Sequence, residues 1–182
     1  MSSRLIRATV TAVVAGVCAA GLLTGCAPEP HETPTPTPRF TSEAQAFQAA
    51  EETYRAYVDA TNKVDLSDPA TFEDVFHLTT GQQNADDKKA LTAYHAAGVT
   101  ESGESQIELI RATSAASDLS KVELAICLDV SDVKVVDSAG KSLVDPNRVD
   151  VQRLAVTLND TATSGRSLLI SEIKGRDGGP RC

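Results

Sequence analysis

The sequence predicts an α+β domain: N-terminal helices packed on a curved antiparallel sheet. Two observations carry this. Between Ser42 and about Ala97 apolar residues recur at helical spacing, and from Gly103 onward the period changes to two. Helices first and strands afterwards give separate layers rather than alternating βαβ units.

The first helix starts at Ser42-Glu43-Ala44-Gln45. This is a capping box, with Ser42 as N-cap and Gln45 reaching back. Phe47, Ala50, Tyr54, Tyr57, Val58 and Thr61 follow on one face and the helix runs to about Lys63. Asp68-Pro69 opens a second helix, with the aspartate as cap and the proline in the first turn. It passes through Phe72, Val75 and Phe76 and stops near Thr80-Gly81. A third helix covers about Asn84 to Ala97, with acids early, Leu91 and Tyr94 on the buried side and Gly98 as its stop.

Strands follow. Gln106 to Ala112 is the first. In the next, Val122, Leu124, Ile126, Leu128 and Val130 alternate with Lys121, Glu123, Ala125, Cys127 and Asp129, which makes one apolar face. Val133–Val136 and Lys141–Val144 flank Asp137-Ser138-Ala139-Gly140 as a hairpin. Val149–Leu158 and Leu168–Lys174 complete the set, joined by the turn-rich stretch from Asn159 to Arg166.

Ahead of the domain lie two further segments. Arg4 and Arg7 precede an uncharged apolar stretch from Ala8 to Leu23, the pattern of an export signal over residues 1–25. The stretch is shorter than the roughly 20 apolar residues a membrane span needs. Its end, Leu22-Leu23-Thr24-Gly25-Cys26, resembles the lipobox of bacterial lipoproteins. That resemblance implies a diacylglycerol on the Cys26 sulfur, cleavage before Cys26, and attachment to the extracytoplasmic face of the cell membrane through acyl chains. Two chains hold firmly where one is marginal. Residues 26–41 then form a tether. Its Thr33-Pro34-Thr35-Pro36-Thr37-Pro38 run favours polyproline II, and at about 3.1 Å per residue it reaches on the order of 40 Å. Residues 42–182 are a single domain.

The whole chain has a net charge of −8, and loss of Arg4 and Arg7 with the signal makes the remainder more acidic still. Nucleic acid is excluded as a partner, because its binding is driven by Lys and Arg on phosphates. Absence of tryptophan and scarcity of other aromatics weaken a role in stacking sugars or bases. Of the four cysteines, Cys18 leaves with the signal and Cys26 takes the lipid, so Cys127 and Cys182 remain in an oxidising compartment. They are expected to form a disulfide. Alternation puts Cys127 on the face opposite Leu124 and Ile126, which the crosslinked C-terminal segment would cover.

The element order looks like the cone-shaped fold shared by nuclear transport factor, ketosteroid isomerase and limonene epoxide hydrolase, in which helices fill the concave side of a curved sheet. That resemblance implies a pocket at the wide end, for which Tyr54, Tyr57, His77 and Tyr94 are the candidate lining residues. No residue motif of those enzymes is matched. The chain as a whole resembles small actinobacterial lipoproteins of uncharacterised role, through Thr79-Thr80-Gly81, His95-Ala96-Ala97-Gly98, Cys127-Leu128-Asp129-Val130-Ser131 and Gly175-Arg176-Asp177-Gly178.

Nothing in the sequence assigns a catalytic residue, a metal ligand or a cofactor. Tyr54 and Tyr94 are expected as core aromatics, and His77, next to Phe76, as a packed histidine. Glu108, Glu123 and Asp129 belong to a solvated face. There is no G-x-S-x-G elbow and no phosphate-binding glycine loop. Asn84, Asp86 and Asp87 lack calcium-loop spacing and are expected as a charged first helical turn. The expected function is a non-enzymatic envelope lipoprotein that binds an envelope protein or a small apolar ligand. The alternative is an isomerase- or hydrolase-type enzyme using the cone pocket. An open, polar interior would favour the enzyme, and a filled one the binding module.

Overall fold

The computed structural model describes residues 40–161 and 168–182. The export signal, Cys26 and nearly all of the tether lie outside the described residues.

Helix α1 (Glu43–Asn62) is capped by Ser42, whose hydroxyl accepts from Gln45 N at 3.3 Å. Gln45 reaches back one residue further than the capping box requires: its Oε1 accepts from Thr41 N and Thr41 Oγ1 at 3.1 and 2.8 Å. Ala46, Ala50, Tyr54 and Val58 form its buried stripe, with small residues where the helix meets the sheet. Phe40, two residues ahead of the expected boundary, packs into the same core and is 9% exposed. Asp68 caps a 3-10 turn (Pro69–Phe72) by accepting from Ala70 N, and the turn continues into the short α2 (Glu73–His77).

Helix α3 (Gly81–Ala96) begins a turn earlier than its charge pattern suggests. Gly81, expected to end the preceding helix, has φ +56° and opens this one. A glycine marks a left-handed backbone without saying which side of it is helical. Asn84, Asp86 and Asp87 therefore sit beyond the first turn, where no acid is found. Leu91 is half-buried in a small second core with Leu66, Phe72 and Val99, whereas Tyr94 is exposed rather than buried. Helix α3 has no fully buried residue, so its periodicity carries little information about orientation.

The strands are β1 (Thr100–Ser102), β2 (Gln106–Ala115), β3 (Lys121–Asp129), β4 (Lys134–Val136), β5 (Val151–Asp160) and β6 (Leu168–Gly175). Four of them make an antiparallel sheet in the order β2-β3-β5-β6. Strand β2 is bulged twice, between Ile107 and Leu109 and between Ala112 and Ser114, and the β5–β6 pair carries a third irregularity. Bulges bend and twist the strand that holds them. Strand β4 pairs with β1 along one edge and with residues 141–143 along the other, so the expected hairpin forms: Asp137 N donates to Lys141 O at 2.9 Å, Leu143 N donates to Val135 O at 2.8 Å, and Val136 bridges Ser142. The β1–β4 pairing brings the chain at Gly103 tightly against the backbone of Asp132, where a Cβ would stand 2.0 Å from Asp132 O.

The main core lies between α1 and one face of the sheet, where Val122, Leu124, Ile126, Val156, Leu158, Leu168 and Ile170 are all essentially inaccessible. Strand β3 is buried on its second face too, at Ala125 and Cys127. Cys127 is joined to Cys182 by a disulfide with Cα atoms 5.5 Å apart, and the tail lies over that face. Arg176 fastens the tail, donating to Pro180 O at 2.7 Å and to Gly178 O.

Candidate functional site

The four residues expected around a cone pocket do not converge on one. Tyr54 is 1% exposed inside the core, with its ring centroid 6.2 Å from that of Tyr57. His77 is exposed at the end of α2, and Tyr94 is exposed on α3. The histidine with partners is His95, itself exposed: its Nδ1 lies 2.7 Å from Leu66 O, and its ring meets Phe72 edge-on at 6.3 Å.

Of the four, only Tyr57 has a polar side-chain partner among the described residues, Asp87 of α3. The Tyr57 hydroxyl donates to Asp87 Oδ1 at 3.3 Å. Gln83 Nε2 donates to the same oxygen at 2.7 Å, and Gln83 Oε1 accepts from Ile173 N of β6 at 3.0 Å. The cluster thus ties α1, α3 and the sheet edge together. Asn84 Nδ2 supports it from below by donating to Phe76 O and Thr79 Oγ1, both at 2.9 Å. Asp87 Oδ2 is buried without a hydrogen-bond partner. Burial raises the Asp87 carboxyl above the usual range, partly offset by its contacts with Gln83, Tyr57 and Thr79. Burial, together with the neighbouring Asp87, pushes the Tyr57 hydroxyl well above its ordinary value. A carboxyl with a raised pKa beside a protonated phenol is chemistry found in acid–base sites. Neither of the two cavities formed by described residues at the sheet margin and at the end of α1 touches Tyr54, Tyr57 or Asp87.

The larger cavity, about 620 Å³, is an open groove on the sheet margin. Its floor is Val151–Leu154 at the start of β5, and its walls are Asp145, Arg148 and Val149 on one side and Gly175–Asp177 on the other. Arg148 and Arg176 are held in place by backbone carbonyls: Arg148 Nη2 donates to Val130 O and Val133 O at 2.7 and 2.9 Å, and Arg176 Nε to Leu154 O at 3.3 Å. Among the described residues none of Arg148, Arg153 and Arg176 has a carboxylate within 4.0 Å. The smaller cavity, about 320 Å³, lies between the end of α1 and residues 101–104. Burial raises Glu101 there. No group of three or more His, Cys, Asp or Glu side chains is placed to hold a metal among the described residues.

Sequence context reads Asp87 as part of a charged first helical turn rather than as a buried carboxyl, and does not single out the three arginines as a site. Asp87 carries no motif. The arginines converge from a loop, a strand and a tail that only the sheet register brings together. Gly175-Arg176-Asp177-Gly178 is the one string that marks this place in the sequence.

No protein-family model matches the chain, and no curated protein matches it in sequence. Similarity to solved structures is one of fold. The intermembrane-space region of the chloroplast protein ARC6 superposes with a TM-score of 0.51 at 12% identity, over 70% of this chain and 94% of that one. Weaker likenesses run to a candidate aromatic ring hydroxylase from Novosphingobium aromaticivorans and to the epoxide hydrolase/cyclase-like enzyme SalBIII. The first has a TM-score of 0.48, 11% identity, and covers 74% and 96% of the two chains. The second has 0.35, 15%, and covers 70% and 92%. The likeness to the ARC6 region is one of fold alone: in this chain, helices packed on an antiparallel sheet.

Proposed function

We propose that this chain is a lipid-anchored lipoprotein of the cell envelope whose domain is a non-enzymatic interaction module held off the membrane by its tether. The observation that supports a binding role over catalysis is the filled interior. Tyr54 is packed among Leu124, Ile126, Val156 and their neighbours, so the space where a cone-fold enzyme would hold substrate is occupied by side chains. An isomerase- or hydrolase-type enzyme would need a cavity reaching Tyr57 and Asp87, and neither described cavity does.

Location and anchoring rest on Leu23-Thr24-Gly25-Cys26 behind an uncharged apolar stretch, followed by a proline-rich spacer. The test is the intact mass of the chain extracted from membranes. The expected species begins at Cys26 and carries a diacylglyceryl group, and Cys26→Ser leaves the chain unlipidated and unprocessed at that site. An unmodified N-terminus at any other residue would end this reading.

A further inference from the structure

Strand β6 stops pairing one residue short of a site that β5 continues to offer. The last register pair is Leu154 with Gly175, after which Arg176 N donates to Arg153 O at 2.9 Å and the chain turns away toward Cys182. Strand β5 runs on through Arg153, Gln152 and Val151, paired with β3 along its other edge. Alternate residues of a strand direct their N–H and C=O groups to opposite sides. Arg153 points its groups to the vacated side, and by alternation Val151 does too. Past the bond from Arg176 N to Arg153 O, no strand stands in register with Arg153 or Val151 on that side among the described residues. The groove of about 620 Å³ occupies this lane.

Charge around the lane is weighted to arginine, three to two. Arg148, Arg153 and Arg176 line it against two acids, Asp145 and Asp177, and neither acid lies within ion-pair distance of an arginine among the described residues. On a chain with a net charge of −8, this is a local excess of positive charge. Fixed guanidiniums lose little freedom when they meet a carboxylate. Apolar surface is on offer as well: Val149 is 64% exposed, and Val151 and Leu154 form part of the floor.

We propose that the groove beside Val151–Arg153 takes an extended acidic segment of a partner protein as an added strand. Its backbone would pair with the open groups of Val151 and Arg153. A carboxylate of the segment would meet Arg153, in the field of the fixed charges of Arg148 and Arg176, and a neighbouring apolar side chain would turn toward Leu154. The proposal deepens the interaction-module reading by giving that module a surface and a partner chemistry. Arginines on an exposed edge also discourage pairing with a second acidic copy less than pairing with a basic one, so self-association has to be tested alongside.

The experiment titrates the full chain, as processed by the cell, with fluorescent eight-residue peptides of alternating Glu and Val. A Lys-for-Glu peptide and a peptide N-methylated at alternate residues serve as comparisons. The acidic peptide is expected to bind, with each comparison weaker by about tenfold or more. Arg153→Glu, a change at an exposed position, should weaken binding of the acidic peptide similarly while leaving the thermal midpoint in place. Hydrogen exchange should slow at Val151–Arg153 on binding. Absence of binding, equal binding of the Lys peptide, indifference to N-methylation, or protection confined to another surface would each overturn the proposal. So would concentration-dependent dimerisation lost on Arg153→Glu, which would give the lane to a second copy. The mass of the Cys26 species is independent of these outcomes, so a failed lane leaves the anchoring reading standing, and a failed anchor leaves the titration valid.

Discussion

Replacing Cys182 by Ser probes how the second face of β3 is kept covered. The Cys127–Cys182 crosslink closes a loop of 55 positions. In the chain-entropy model such a loop contributes about 4 kcal/mol by restricting the unfolded chain. That is a large part of the 5–15 kcal/mol typical of a whole domain. For a chain of this size each kcal/mol moves the midpoint by about 3–5 °C, so the variant should melt roughly 15 °C lower. Little else can hold the tail once the bond is gone, because its other ties are the hydrogen bonds from Arg176 to Gly178 O and Pro180 O. Released, it would uncover Ala125 and Cys127, which are now 1% and 0% exposed. Thermal unfolding by circular dichroism, on the variant and on the unmodified chain with and without reductant, checks the figure. The reduced chain and the variant should coincide. Two titratable thiols in the denatured, unreduced chain would refute the crosslink, and a loss below about 3 °C with the bond intact in the unmodified chain would refute the loop-closure account.

Asp87→Asn tests the buried carboxyl. Its folded pKa is raised by burial, so the folded chain holds this proton more tightly than the unfolded one. The associated stability is fully present below about pH 4 and is lost as pH rises through the folded value. The unmodified chain should therefore lose midpoint relative to Asp87→Asn between pH 4 and pH 7, and parallel curves would contradict the assignment. Gly103→Ala should cost at least about 2 kcal/mol, because φ is +84° and a Cβ would stand 2.0 Å from Asp132 O. Gly140→Ala, at φ +81° with open space around it, should cost only about 1–2 kcal/mol in the same urea titration, and equal losses at the two sites would dismiss the contact with Asp132.

Period and capping made most of the fold legible. The strict alternation of Val122 to Val130 sets β3 within a residue, because a one-residue slip would turn Leu124 and Ile126 to the wrong face. Ser42 and Asp68 mark helix starts through short-range chemistry that the structure repeats. Harder to see were features set by distant partners. Strand β1 is three residues long with no buried position, and it exists because β4 lies beside it. Tyr94 fits a helical stripe, yet α3 has no fully buried residue and is tied to the sheet edge through Gln83 and to α1 through Asp87. The groove was illegible for a similar reason: sequence shows where arginines are, and only the register of β5 against β6 shows that they meet.

The way the sheet ends matters for a molecule crowded beside others like it. At one margin, β2 carries two bulges that spoil a straight template. At the other, β6 is occupied by the segment after α2: Thr80 N donates to Ile170 O, Ile170 N to Leu78 O, and Ile173 N is taken by Gln83. Long open margins are where sheets of neighbouring molecules fuse into fibrils. Proteins confined to a plane meet far more often than the same number free in a volume, so any tendency to stack edge to edge would be amplified there. Apart from the short lane beside Val151–Arg153, both margins are broken up or plugged, which limits edge-to-edge stacking when the domain is packed densely on a surface.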